Sequence, residues 1–123
     1  DKIEAYYYSK NSFGNLSKTL ALESRKGVEE LFLGLNSDGL EGPSYKSYLD
    51  YLESEIGSSV KTKFEEAALR IDDLQDNFLT QISENNTLML VAFDALQTIV
   101  VNLKTDMLSN FNIAVDYTDA DGD

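Results

Sequence analysis

The chain has no cysteine and no histidine, a single proline, and only 10 basic residues against 22 acidic ones. Without cysteine there can be no disulfide, no thiol nucleophile and no thiolate zinc site. That absence leaves the compartment open, since disulfides track redox environment but are not obligatory in it. Without histidine the commonest metal ligand and general base is missing, so carboxylate, Lys and Tyr alone remain for acid–base work. The formal charge of −12 repels phosphate backbones, which proteins approach with clustered Lys and Arg. Nucleic acid and anionic membrane surfaces are therefore not expected as partners, whereas cations, basic proteins and neutral ligands are compatible. Long apolar runs are also lacking. The longest, Leu88 to Phe93, falls far short of the ~20 residues of a spanning helix, so no membrane insertion is expected. The chain opens on Asp1 with no charged-then-apolar leader, which suggests a processed chain or a piece of a longer one.

What is present suits a folded domain. The 123 residues are 42% hydrophobic and 26% charged, close to globular averages and to the length of one domain. A chain of this size can bury a core without covalent staples.

Residues 1–10, polar with three tyrosines, read as a lead-in segment. A first helix is expected over 12–33, capped by Ser12, with apolar Phe13, Leu16, Leu20, Val28 and Leu31 and a stop at Gly34. The stretch LNSDGLEGPS at 35–44 carries two Gly, the one Pro, Asn and Asp, and reads as a loop. A second helix follows Ser44, with Tyr45, Tyr48, Leu49, Leu52 and Ile56 on one face and Gly57 as its end. A third opens at Ser58 and Ser59. Its seam of Val60, Phe64, Ala67, Ile71, Leu74, Phe78 and Ile82 steps by threes and fours, with Asn85 and Asn86 marking the end. On its outer face Glu66 and Arg70 make an i,i+4 pair. The fourth, from Thr87 to Ser109, keeps a seam of Leu88, Ala92, Leu96, Ile99, Leu103 and Met107, yet its blocks LMLVAF and TIVV make it apolar nearly all round. Such a helix is central or covered by a partner. The expected fold is all-α: one domain, 1–123, an antiparallel four-helix bundle with a short extended C-terminal segment. That segment is the acidic tail 111–123, where Phe111, Ile113, Val115 and Tyr117 alternate.

Three features could carry chemistry. The ending DYTDADGD has the look of an EF-hand loop, which needs oxygen ligands at loop positions 1, 3 and 5, Gly at 6 and Glu at 12. With Gly122 at 6, Asp121 and Asp119 fit, but Tyr117 falls at 1 and the sequence stops one residue later. At most a weak cation contact at Asp119, Asp121 and Asp123 is expected, and a solvated acidic terminus is the plainer reading. The tyrosines Tyr6, Tyr7 and Tyr8, with Tyr45, Tyr48 and Tyr51, could line a sugar or peptide surface, or could simply rim the bundle with wet hydroxyls. The acid pairs Glu29-Glu30, Glu65-Glu66 and Asp72-Asp73 lie mostly off the apolar seams and read as solvated faces. A di-iron bundle would need histidine. No catalytic set can be assembled.

Two stretches resemble one family. The opening YYYSKNSFGNLSKTLALESRKGVEELFLG and the ending LKTDMLSNFNIAVDYTDADGD look like imelysin-like proteins, whose last helix gives way to an apolar segment and a terminal Asp-Gly-Asp. The resemblance implies a bacterial envelope protein, periplasmic or on the outer membrane and often a lipoprotein. It further implies two helical bundles, with this chain similar to the C-terminal one, and a link to iron uptake. The family's metallopeptidase label rests on a Gly-x-His-x-x-Glu motif, which a chain without histidine cannot supply. The expectation is thus a non-catalytic bundle with no cofactor of its own, iron or another metal entering only through another domain. Its partner would be a second bundle of the same protein or a homo-oligomer. The alternative is a self-contained ligand-sensing or protein-interaction bundle.

Overall fold

The computed structural model describes residues 15–114, and in that range the chain is helical, with no strand. Helix α1 spans Ser17–Leu33, α2 Tyr45–Tyr51, α3 Ile56–Asp72 and α4 Phe78–Val101. Without a pause α4 runs on through a π-helical stretch, Asn102–Met107, into a last α-turn, Leu108–Asn110. Among the described residues the only extended pairing is one antiparallel bridge between Leu35 and Glu41, inside the loop joining α1 to α2.

Helix α3 is the centre, packing against α1, α2 and α4. Its seam is the one expected: Val60, Phe64, Ala67, Ile71 and Leu74 are all buried. Around Phe64 they meet Phe32 and Leu33 of α1, Leu49 of α2, and Ile99 and Met107 of the last helix. The Phe32 and Phe64 rings lie 6.0 Å apart, tilted by 41°. A smaller cluster of Ile71, Leu74 and Ala92 closes the other end of the α3–α4 contact. Each such side chain, taken fully out of water, contributes about 1.5–3 kcal/mol.

Several expectations change in detail. The helix predicted over 58–84 is broken. α3 stops at Asp72, and α4 begins at Phe78 behind Asn77, whose Oδ1 accepts from the backbone N–H of Leu79 and Thr80. The period alone could not reveal this, because Leu74 and Phe78 keep the i,i+4 spacing across the break. The boundary expected at Asn85 is present: its backbone leaves helical geometry (φ −152°, ψ 82°), so α4 is two helical pieces meeting across a kink. Asn85 Oδ1 accepts from the Leu88 N–H at 3.4 Å at the start of the second piece. Gly57 does not terminate α2 but lies in the first turn of α3, where a Cβ would come within 3.1 Å of Asp50 Oδ1 and 3.5 Å of Leu49 Cβ. Its role is close approach of α2, not chain reversal. Nor is the last long helix central: α3 holds that place, and α4 is covered on one side only.

Helix α1 turns the other way round from expectation. Leu16, Leu20, Val28 and Leu31 are exposed, and the inward side is formed by Ala21, Leu22, Phe32 and Leu33. Between them the half-buried Arg25 donates to Glu29 Oε2 at 2.6 Å and to the Phe64 carbonyl at 3.2 Å. Lys18 ties the other end of α1 to α3, donating to the Asp72 carbonyl at 3.1 Å, where a cation suits the negative end of a helix. Of the expected extended tail, Phe111 and Asn112 form a turn, and 115–123 lie outside the described residues, as do the expected helix start at Ser12 and the lead-in 1–10.

Candidate functional site

Three helices end in the same way, and two of these ends build the most distinctive surface. At Gly34 (φ +67°) the next N–H, of Leu35, reaches back to the Glu30 carbonyl at 2.9 Å. Glu53 (φ +56°) and Asn112 (φ +54°) repeat the pattern, Ser54 bonding to Leu49 and Ile113 to Leu108, each at 3.0 Å. This six-residue closure leaves the chain sharply turned after the helix. At Asn112 it carries Phe111 and Ile113 towards α2.

Helix α2 begins with a capping box. The Ser44 hydroxyl accepts from the Ser47 N–H at 3.1 Å, and the Ser47 hydroxyl accepts from the Ser44 N–H at 2.8 Å. This start sets Tyr45, Tyr48 and Tyr51 three residues apart on one side of the short helix. Tyr45 and Phe111 stack at 6.5 Å, Tyr48 and Phe111 meet tilted at 5.1 Å, and Tyr48 stacks on Tyr51 at 6.2 Å. Leu31 and Pro43 complete an open cleft of about 560 Å³. Tyr45 and Tyr48 are each half exposed, so they do rim the fold, yet they also join one aromatic surface. Their spacing in α2 was legible, but the part played by Phe111 was not. Tyr6, Tyr7 and Tyr8 lie outside the described residues.

The second surface is the outer side of α4. Leu90, Phe93, Val100 and Val101 are 40–55% exposed, and lie across the helix from buried Ala92 and Ile99. Together with Gln97 they step by three and four, which is the pattern of a second seam. The helix from Phe78 to Asn110 is in fact long and apolar enough to cross a membrane, with a mean hydropathy of 1.4 over 18 residues. Only 11% of that window is buried.

Glu29 departs from the solvated-face expectation: it pairs with Arg25 on the inward side of α1, its side chain only 17% exposed. The other acids of the pairs stand at the surface, Glu30 meeting Lys26 at 3.7 Å and Asp72 meeting Lys18 at 3.8 Å. The expected Glu66–Arg70 pair is replaced by two shorter-range ones, Lys63–Glu66 at 3.0 Å and Arg70–Asp73 at 3.4 Å. The hydrogen bond and charge of Lys63, with a smaller contribution from Arg70, hold the Glu66 carboxyl below its ordinary value of 4.5. These charges line a small groove between α3 and α4, with Asp94 on its far wall, and largely neutralise one another there. Among the described residues no three carboxylates gather closely enough to hold a metal ion, and Asp119, Asp121 and Asp123 lie outside them. No family model matches the chain, and neither a curated protein nor a solved structure matches it.

Proposed function

We propose that this chain is an antiparallel four-helix bundle acting as the non-catalytic C-terminal bundle of an imelysin-like bacterial envelope protein. It docks on a second helical bundle of the same protein, and the pair serves acquisition of iron or another ligand at the periplasmic or outer-membrane surface. One observation carries the docking: apolar seams on the outer sides of both α1 (Leu20, Val28, Leu31) and α4 (Leu90, Phe93, Val100, Val101) face away from the core. Contiguous exposed apolar surface of this kind marks an interaction site. A helical partner suits α4 better than a bilayer does, because Gln97 stands exposed within its outer seam and would be costly in hydrocarbon. Envelope location and the link to iron rest on the resemblance of the two termini.

The intact mass of the native product, captured from an envelope fraction, tests this reading. A mass well above 13.7 kDa, with Phe93→Asp exposing the bundle junction to limited proteolysis, is the expected result. A native product of 13.7 kDa would overturn the two-bundle arrangement. It would favour the second reading, a self-contained ligand-sensing or protein-interaction bundle, for which the aromatic cleft built entirely from this chain speaks.

A further inference from the structure

We propose that the cleft between Tyr45, Tyr48 and Phe111 captures an apolar–basic peptide segment of another protein. An aliphatic or aromatic side chain would sit on the rings while a neighbouring Lys or Arg lies against the tyrosine faces. The cleft offers flat apolar area: the Tyr45 and Tyr48 rings each lie within 6.5 Å of the Phe111 ring, flanked by Leu31 and Ile113, both more than half exposed. Tyr and Phe faces attract cations through the ring quadrupole, so this surface accepts a guanidinium or ammonium as readily as a methyl group.

Charge decides between occupants. The segment 29–55, which holds the loop and α2, carries seven acids and one base, Lys46, a balance of −6. Four of those acids are met by Arg25, Lys26, Lys46 and Lys61, and Asp38, Glu53 and Glu55 have no such partner among the described residues. A groove set in a field of one sign concentrates ligands of the other and speeds their arrival. An acidic peptide would meet repulsion instead. A sugar is the poorer fit, because sugar recognition needs convergent hydrogen bonds. The hydroxyl of Ser44, the serine on the cleft wall, is already engaged in the capping box.

The inference does not depend on a second bundle, since every residue it uses belongs to this chain. Its test is fluorescence anisotropy with the full chain at physiological salt. The probe is fluorescein-labelled Arg-Leu-Arg-Phe-Arg-Leu, compared with versions carrying Glu for Arg, or Ser for Leu and Phe. Saturable binding of the first is expected, at least tenfold weaker for either control. Tyr48→Ala and Phe111→Ala should each weaken it about tenfold, while Lys63→Ala in the α3–α4 groove leaves it unchanged. The chain has no tryptophan, so its tyrosine emission should shift on titration with unlabelled peptide. If Phe111→Ala lowers the helical circular dichroism, half-exposed Tyr48 alone decides the matter. Absence of saturable binding, equal binding of the serine version, or full affinity in Tyr48→Ala would each overturn the proposal. So would capture of cellohexaose in place of the peptide. The native mass reports on the two-bundle reading separately, so either idea can fail alone.

Discussion

The Nε2 of Gln81 donates to the backbone carbonyl of Asn85 at 2.7 Å. The same side chain accepts at Oε1 from the Gln75 N–H at 2.9 Å, and it is only 1% exposed. One buried amide therefore spans both irregularities of this region, the link between α3 and α4 and the kink four residues on. At each it satisfies a backbone group that helix geometry leaves without a partner.

Gln81→Leu should accordingly destabilise the fold by about 1–3 kcal/mol, since it removes the partner of one part-buried N–H and one part-buried carbonyl while keeping side-chain volume. Urea denaturation followed by circular dichroism measures this. Faster hydrogen exchange at the Gln75 amide would locate the loss, and an unchanged midpoint would show that the bridge is dispensable.

The three matched helix ends differ in the residue placed at positive φ. Gly34 accepts that conformation freely, but a Cβ there would lie 2.7 Å from Ser44 Cβ and 2.9 Å from the Pro43 carbonyl oxygen. Gly34→Ala should cost at least about 1–2 kcal/mol from backbone strain alone, plus the clash. Glu53 carries the same strain already. Glu53→Gly should raise stability by about 0.5–1 kcal/mol, the relief being partly offset by a freer unfolded chain. Thermal melts of the two variants should move in opposite directions.

Two phenylalanines separate the core from the outer seam. Phe64→Ala should cost about 3–5 kcal/mol, a large part of the 5–15 kcal/mol typical of a whole domain. Phe93→Ser, on the exposed side of α4, should change the stability of this chain by less than about 0.5 kcal/mol. A large loss from Phe93→Ser would mean that the outer seam is already covered within the chain.

Glu66 should titrate below 4.5 in the folded protein, as read from its side-chain carbonyl shift by NMR. A carboxyl depressed on folding adds stability above its unfolded value, and that contribution is lost as the pH falls through the folded one. Lys63→Ala should bring the midpoint back up. Arg70→Ala should move it less, because the hydrogen bond and the larger charge effect both come from Lys63.

Much of the fold could be read from spacing. The α3 seam from Val60 to Leu74, the stop at Gly34, the cap at Ser44 and the inward row Ala92, Leu96, Ile99, Leu103 follow from periodicity and capping chemistry. The remainder escaped for physical reasons. Leu16, Leu20, Val28 and Leu31 form an apolar stripe interrupted at Ser24, and a stripe does not say whether the surface it meets lies in the same chain. The inward row of α1 includes Arg25 and Glu29, which are tolerable inside only because they pair with each other and with the Phe64 carbonyl. Gln81 is polar at a core position, and its two backbone partners exist only once the chain has broken at 73–77. The aromatic cleft joins residues more than 60 positions apart, from Tyr45 to Phe111. Local pattern carries no such information.

The π-helical stretch Asn102–Met107 has a consequence for ancestry. An α-helix advances past a full turn every four residues, so Ile99, Leu103, Met107 and Phe111 would drift around an ordinary one. The wider turn absorbs an extra residue and brings all four back onto the packed side. Such turns commonly record a one-residue insertion that the helix swallowed instead of looping out. A cousin of this protein with an unbroken α-helix here should be one residue shorter between 102 and 107. If its chain is not shortened there, its counterpart of Phe111 should point away from its counterpart of Tyr48.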